Sequence, residues 1–486
     1  MKKVVFLTGA TGNMGWAGFQ ELYRKKDRFR IRVLARHSKK NIRLLERYMD
    51  DPDVEIVWGD LTVYEDVLAG VAGADYVLHV GGMVSPKADY YPEKTLKVNV
   101  TAAENVVRAV KAQPDRDRIK VVYIGSVAQC GDRLYPIHWG CAGDPVYASA
   151  FDMYAVSKCR AEKAFADSGL KYWVSLRQSG ILYPGIFRQI NPIAFHVPIK
   201  GVLEWATIED SGRVLANVCE DYVPEEFWNR FYNISSGEQY RMTNYEFEQR
   251  LLSPIGISSV EKVFEPRWFA TRNFHGMWYT DADELEKYLH FRANIPVDEY
   301  FRQMTSRLPW YFSLARLVPA CLIKAFMRPL AYEKGLGTQT WIKDSPEKLE
   351  AYYGSEEEFL GIRSWEQMRP PYMEKNIDKA RAAGEVVELN RGYDMSRSIY
   401  SLDADEIEAA AVFRGGHFLG PEDLVGTKGA VFGWTCEHGH QFSASLEYVL
   451  LGGGWCPECD ASGNIRKVAT ARNRFISQVL SSQCLE

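Results

Sequence analysis

No run of about 20 apolar residues occurs in the 486-residue chain, so no simple helix in it is expected to span a membrane. Neither sign of charge is in strong excess: the net charge is -4, which argues against a dedicated nucleic-acid binder. The opening MKKVVFLTGATG has too short an apolar run for a secretory leader and reads as a strand entering a turn. Cysteines are few, nine in all, and scattered apart from three near the end. That suits a reducing compartment, the cytoplasm, better than a disulfide framework. Internal repeats and low-complexity runs are also missing. What is there is ordinary for a folded chain, 46% apolar and 25% charged residues, and at ~150 residues per domain the length suggests two or three domains.

The first half alternates short apolar runs with helical segments. KVVFLT, IRVLA, VEIVW, YVLHV, KVVYIG and YWVSLR read as strands, and 14–26, 41–49, 92–112 and 151–168 as helices. Strands joined by crossover helices predict an α/β fold with a doubly wound parallel sheet of Rossmann type, covered on both faces. Such a sheet binds ligands at the carboxyl ends of its strands. Gly9, Gly12 and Gly15 follow the first strand directly. There the backbone can approach a pyrophosphate, and the helix behind it offers free N–H groups and a favourable dipole. Asp60, ending the third strand, can accept from an adenine amine, with the Leu61 N–H beside it. The second strand ends in VLARHSKKN, with no acid to read an NAD ribose. Arg36, Ser38 and Lys39 can instead hold a 2′-phosphate, which favours NADP over NAD.

Tyr154 and Lys158, in YAVSK, are four apart on a predicted helix and share a face. A nearby ammonium stabilises a phenolate, so Tyr154 can take a proton from an alcohol or give one to a ketone. Ser126, ending the fifth strand, can bond the substrate oxygen.

The ordered set TGATGNMG, GDL (59–61), HVGG (79–82), NVTAAENVV (99–107), YIGSVAQCGD, YAVSK and LRQSGILYPG resembles the extended short-chain dehydrogenase/reductase family, with its NAD-dependent epimerases and dehydratases, over residues 1 to about 300. The resemblance implies Ser126, Tyr154 and Lys158 as a catalytic triad supported by Asn99, with Lys158 on the nicotinamide ribose. It adds Thr11, Asn13, Met14, Val80 and Gly81 to the cofactor contacts, and Gln178 and Ile181 in the segment that wraps the nicotinamide. Three positions depart from the family pattern: Gly81 and Gly82 stand where alanines are usual, and Gln178 where many members carry proline. Val127 and Ala128 follow Ser126 where a dehydratase would place an acid. That leaves two reactions: an oxidoreductase acting on a sterol-like or other hydrophobic alcohol, which is favoured, and a nucleotide-sugar epimerase. A cofactor-sensing regulator or nucleic-acid binder is the alternative of another class, and an intact triad argues against it.

The resemblance covers a domain 1–335, with a Rossmann core to about 185 and a smaller substrate lobe over 186–335. A helical connecting region is expected over 336–424 and a small zinc module with a basic tail over 425–486. Between them, LPWYFSLARLVPACLIKAFMRPLAY (308–332) is apolar and cut by prolines into two short helical pieces at most. Two amphipathic helices covering the substrate lobe are the favoured reading of this segment, with a peripheral membrane contact or an apolar access path as alternatives; a small-molecule substrate and a homodimer are the other expected partners. Near the end, Cys436 and His440 are spaced C-x3-H, and Cys456 and Cys459 C-x2-C. Three thiolates and an imidazole make a closed set for structural zinc, with His438 a rival ligand. The composite resembles zinc-ribbon and treble-clef modules. Such a module is expected to bury little core of its own and to be stapled by its metal.

Overall fold

The computed structural model describes residues 2–461 and 470–481 of the chain. The six apolar runs form β1 (Lys3–Thr8), β2 (Phe29–Ala35), β3 (Val54–Trp58), β4 (Tyr76–His79), β5 (Lys120–Ser126) and β6 (Tyr172–Gln178). A seventh strand, β7 (Arg230–Ile234), joins them, and the order β7-β6-β5-β4-β1-β2-β3 is parallel throughout. The fold is therefore the expected doubly wound α/β sheet. The chain runs outward from β1 to β3, then returns to place β4 on the other side of β1. That reversal creates the switch point at which open sheets of this kind hold ligands.

Helices cover both faces. α1 (Asn13–Arg24) and α2 (Lys39–Leu45) lie on one, over Val5, Leu7, Ile31 and Val33, joined by the helix Ile208–Asn217 from the second lobe. α3 (Tyr64–Val71), α4 (Pro92–Lys111) and α5 (Met153–Ala166) lie on the other, over Phe6, Val77, Val121 and Tyr123. Helix ends follow local chemistry: Asp152 caps α5 by accepting from the Ala155 N–H at 2.9 Å, and Ser38 caps α2 through the Asn41 N–H at 3.2 Å.

In the second lobe Val202–Glu204 pairs with Arg241–Thr243, and Arg241 meets the buried Glu204 at 2.8 Å. From the segment after 336, Trp341, Leu349, Tyr352, Tyr353 and Phe359 pack with Phe195, Trp268 and Phe269 of the second lobe in one apolar cluster.

β8 (His417–Phe418), β9 (Val431–Thr435) and β10 (Gln441–Ser445) form an antiparallel sheet followed by a π-type turn, Glu447–Leu451. Phe432, Trp434, Ala444, Leu446, Tyr448 and Leu450 of this module share one cluster with Phe165 of α5, Trp173 of β6 and Phe231 of β7, so its core is continuous with that of the sheet. Of the basic tail, Arg466 and Lys467 lie outside the described residues, while Arg474 stacks over the Phe413 ring at 4.9 Å.

Candidate active site and metal centre

The turn between β1 and α1 is set by its glycines. Gly9 has φ +73°, and a Cβ there would lie 2.7 Å from the Gly81 backbone. A Cβ on Gly15 would lie 2.1 Å from the Gly9 carbonyl oxygen. Helix α1 can thus start against the turn only without side chains at these positions. Thr8 locks the facing strand end: its hydroxyl oxygen accepts from the Val80 and Gly81 N–H groups at 3.1 and 3.0 Å. Gly81, an alanine in the family pattern, is the residue that Gly9 meets. Thr11 and the exposed Asn13 flank the turn while Met14 is buried under it, and Asn13 bonds the Tyr183 hydroxyl across the lobes.

The remaining cofactor candidates stand at the ends of neighbouring strands. Arg36, Ser38 and Lys39 follow β2, all exposed, with the Ser38 oxygen engaged as the α2 cap. Asp60 follows β3 and accepts from both the N–H and the hydroxyl of Thr62, while the Leu61 carbonyl accepts from Asn105 at 3.0 Å. Gln178 ends β6 opposite Ser126. Its side-chain amide donates to the Ser179 carbonyl at 3.1 Å, and its own oxygen is buried with no partner among the described residues. Ile181 begins the short strand Ile181–Leu182 just beyond. A glycine cradle that a Cβ would fill and an orphaned buried acceptor both fit a dinucleotide at the switch point.

Ser126, Tyr154 and Lys158 come together beside it. The Ser126 hydroxyl lies beside the Tyr154 phenol. Burial pushes the Tyr154 phenol up to about 12, opposed by the Ser126 hydroxyl and aided by the Asp152 and Asp89 carboxylates. Lys158 is buried. Its ammonium donates to the Ile124 carbonyl at 2.8 Å and lies 5.9 Å from the Tyr154 ring centre. Burial lowers it to about 8, against the pull of Glu162. Asn99 bonds neither hydroxyl of the pair. Its amide donates to the Met83 carbonyl and to Ser157, and its oxygen accepts from the Met83 N–H at 2.7 Å, so it ties the loop after β4 to α5.

Several groups here escaped the sequence reading. Asp152 bonds His275 of the second lobe at 3.3 Å. Burial raises the Asp89 carboxyl to about 6, and one of its oxygens has no hydrogen-bond partner among the described residues. Below the site runs a fully buried polar chain. The Ser126 N–H donates to Gln129 Oε1 at 2.8 Å, and Gln129 Nε2 donates to Glu162 at 2.8 Å. Glu162 also accepts from Ser175 at 2.5 Å and from Arg177 at 3.0 and 2.8 Å. Arg177 then donates to the Gly452 carbonyl of the C-terminal module at 2.6 Å. Two clues pointed to it: Glu162 lies one helical turn beyond Lys158, and Arg177 is the one charged residue in a central strand, where a buried charge must be paired.

In the module, Cys436, His440, Cys456 and Cys459 bring one ligand atom each within 4.8 Å of one another. His440 Nδ1 lies 3.4, 3.6 and 3.4 Å from the sulfurs of Cys436, Cys456 and Cys459, and two of the sulfurs are 3.7 Å apart. Tetrahedral zinc with bonds of about 2.3 Å to sulfur and 2.0 Å to nitrogen would space them by about 3.8 and 3.6 Å, so the set fits the metal. His440, not the rival His438, faces the thiols.

Residues 5–181 match the model of the NAD dependent epimerase/dehydratase family. Among curated proteins, it is 30% identical to UDP-glucose 4-epimerase from Rickettsia bellii (strain RML369-C) over 22% of this chain and 32% of that one. It is 29% identical to 3 beta-hydroxysteroid dehydrogenase type 7 from Rattus norvegicus over 52% of this chain and 71% of that one. The chain thus spans about a third of the length of the first curated relatives it matches. Among solved structures, dTDP-glucose 4,6-dehydratase from Bacillus anthracis str. Ames, in complex with NAD, aligns over 64% of this chain and 96% of its own, with 15% identity and a TM-score of 0.50. That likeness is one of fold. The family match and the glycine cradle together support an NAD or NADP site at the switch point.

Proposed function

We propose that the chain is an NADP-dependent oxidoreductase that interconverts a secondary alcohol and a ketone on a hydrophobic, sterol-like molecule. The observation that carries this is the placing of Ser126 beside Tyr154, with Lys158 one turn along α5, next to the glycine cradle. A bound nicotinamide ring supplies the hydride donor or acceptor. Gly9, Gly12 and Gly15 would admit the pyrophosphate, Gln178 would face the nicotinamide end, and Arg36 and Lys39 would hold the 2′-phosphate. Tyr154 keeps its proton through the neutral range and is poised to give it to a carbonyl oxygen held by Ser126. In the reverse direction the Lys158 ammonium, present below its value of about 8, favours the phenolate that takes the alcohol's proton.

One comparison favours a hydrophobic alcohol. The similarity to the hydroxysteroid dehydrogenase runs well past the family domain, whereas that to the epimerase covers 32% of that protein. Epimerisation of a nucleotide sugar is the second reading, favoured by the epimerase relatives. The C-terminal set would hold one structural zinc, with no open position for chemistry.

The test combines NADPH absorbance with product analysis on hydrophobic alcohols, their ketones and nucleotide sugars, using wild type and Tyr154→Phe. Net oxidation or reduction that falls at least ~100-fold in Tyr154→Phe, with cofactor binding kept, is expected. Epimer formation without net cofactor change would select the second reading. Activity within a few-fold of wild type in the variant would refute the role of Tyr154.

A further inference from the structure

The segment expected to be cut by prolines is indeed two pieces, a 3-10 stretch Trp310–Leu317 and a helix Ala320–Ala331. The helix turns Ile323, Met327 and Leu330 inward against the substrate-lobe core. Its opposite face is bare: Leu322 is 58% exposed and Phe326, one turn on, 65%. The 3-10 stretch adds Trp310 at 77% and Leu317 at 80%, with Tyr311 and Leu314 also exposed. Elsewhere among the described residues, large exposed apolar side chains occur singly, in a neighbouring pair or several residues apart. An apolar concentration of this kind marks a surface that meets something.

The charge around it says what. Between 307 and 334 stand Arg307, Arg316, Lys324, Arg328 and Lys334 against one acid, Glu333. Arg307 and Lys324 pair with Glu209 and Glu265 from other segments. Arg316 donates to the Pro254 carbonyl and Arg328 stacks over Tyr332, and neither has an acidic partner within 4 Å among the described residues. A second copy of the chain docking through this face would bring like charges together, since a two-fold contact pairs a patch with itself. An anionic phospholipid surface satisfies both features: the apolar side chains enter the headgroup–acyl boundary, Trp310 and Tyr311 sit at its level, and the arginines meet phosphates. No helix among the described residues is long and apolar enough to cross a membrane, so the contact is one of lying on it.

We propose that residues 310–332 dock the protein on the surface of a bilayer containing anionic phospholipid. The segment adjoins the candidate site: the Tyr90 hydroxyl donates at 3.0 Å to Glu333, just past the segment, and Tyr90 ends the short helix Lys87–Tyr90 in the stretch between Met83, which Asn99 holds, and α4. Docking would therefore present the mouth of the site to the lipid, a consequence that rests on the hydrophobic-substrate reading, whereas the docking itself does not.

The experiment is flotation of the purified full chain with vesicles of phosphatidylcholine alone and of phosphatidylcholine with phosphatidylserine, at low and high salt, alongside sedimentation of the protein without lipid. Binding to the phosphatidylserine vesicles that weakens in high salt is expected. Leu317→Asp/Phe326→Asp should abolish it, and Arg316→Ala/Arg328→Ala should weaken it by roughly tenfold or more. Both variants change exposed side chains, and unaltered circular dichroism and cofactor binding confirm that they fold. No flotation of wild type, or equal flotation of wild type and Leu317→Asp/Phe326→Asp, would overturn the proposal. So would a dimer that the Asp variant dissociates with no lipid binding in either protein. Flotation with no turnover of hydrophobic alcohols would leave docking standing and remove the substrate reading.

Discussion

Replacing Glu162 by glutamine should be among the most costly near-isosteric changes in the chain. The carboxylate is fully buried and accepts from Gln129, Ser175 and two nitrogens of Arg177, itself fully buried. Glutamine keeps the volume, so no cavity opens. It turns one acceptor oxygen into a donor that faces other donors, and it leaves the Arg177 guanidinium without its counter-charge in the core. Breaking a buried pair from one side costs about 3–5 kcal/mol. The exposed pair of Glu261 and Arg369, 2.8 Å apart with Arg369 54% exposed, is the control: Glu261→Gln should cost about 0–1 kcal/mol. The assay is denaturant unfolding followed by tryptophan fluorescence, since Trp173 lies on β6 together with Arg177. Turnover should fall with stability, because Gln129 holds the Ser126 N–H and loses its own anchor. Equal costs for the two variants would refute the reasoning that this network is held by charge in a dry core.

Three further outcomes are expected. NADP should bind more tightly than NAD, and Arg36→Ala should narrow the difference; titration showing equal affinities in wild type would reject the reading of the β2 end. Elemental analysis should find one zinc per chain, lost in Cys456→Ser, and metal removal should lower the unfolding temperature of the whole Rossmann domain, not of the tail alone; an unchanged temperature would show that the module is a detachable appendix. Asp89, raised by burial from the ordinary 3.8 to about 6, adds stability that is complete below the lower value and lost as pH rises through the upper one. Asp89→Asn should therefore stabilise the protein by up to about 3 kcal/mol at neutral pH and not at all below pH ~4, a difference read from unfolding at the two pH values. A gain independent of pH would exclude ionisation as its cause.

Most of the sheet was legible because local signals agreed with the global fold. Six strands announced themselves as β-branched runs between turn residues, and glycines at 9, 12 and 15 marked the first turn. β7 was harder: FYNI mixes polar and apolar residues and is a strand only because β6 offers it an edge. Tyr154, Lys158 and Ser126 were readable as a spacing on one helix and a strand end. Asp89, His275 and Gln129 were not, since nothing local tells a buried partner from a solvated side chain. The C-terminal cluster was readable as ligand spacing, but its place on the sheet was not, because that depends on which distant apolar face lacks a cover.

That missing cover explains the module. A parallel sheet needs both faces buried, and the crossover helices α3, α4 and α5 serve the strands as far as β6. Among the described residues no crossover helix beyond β7 returns on that face, yet Phe231 of β7 and Trp173 of β6 pack edge to face there with ring centres 5.3 Å apart. The C-terminal turn fills the place. Gly452 lies so close to the Phe231 ring that a Cβ would come within 2.8 Å of it, and the Val146 N–H donates to the Gly453 carbonyl at 3.0 Å. Strands as short as β9 and β10 have too little surface to hold that turn by themselves, which gives the four-ligand cluster its reason. The physical sequence then runs from the Cys/His cluster to the hairpin, from the hairpin to the Gly452 carbonyl, and through Arg177, Glu162 and Gln129 to the backbone of Ser126. Closed on a metal as proposed, the cluster would seat the last piece of the wall behind the candidate catalytic serine.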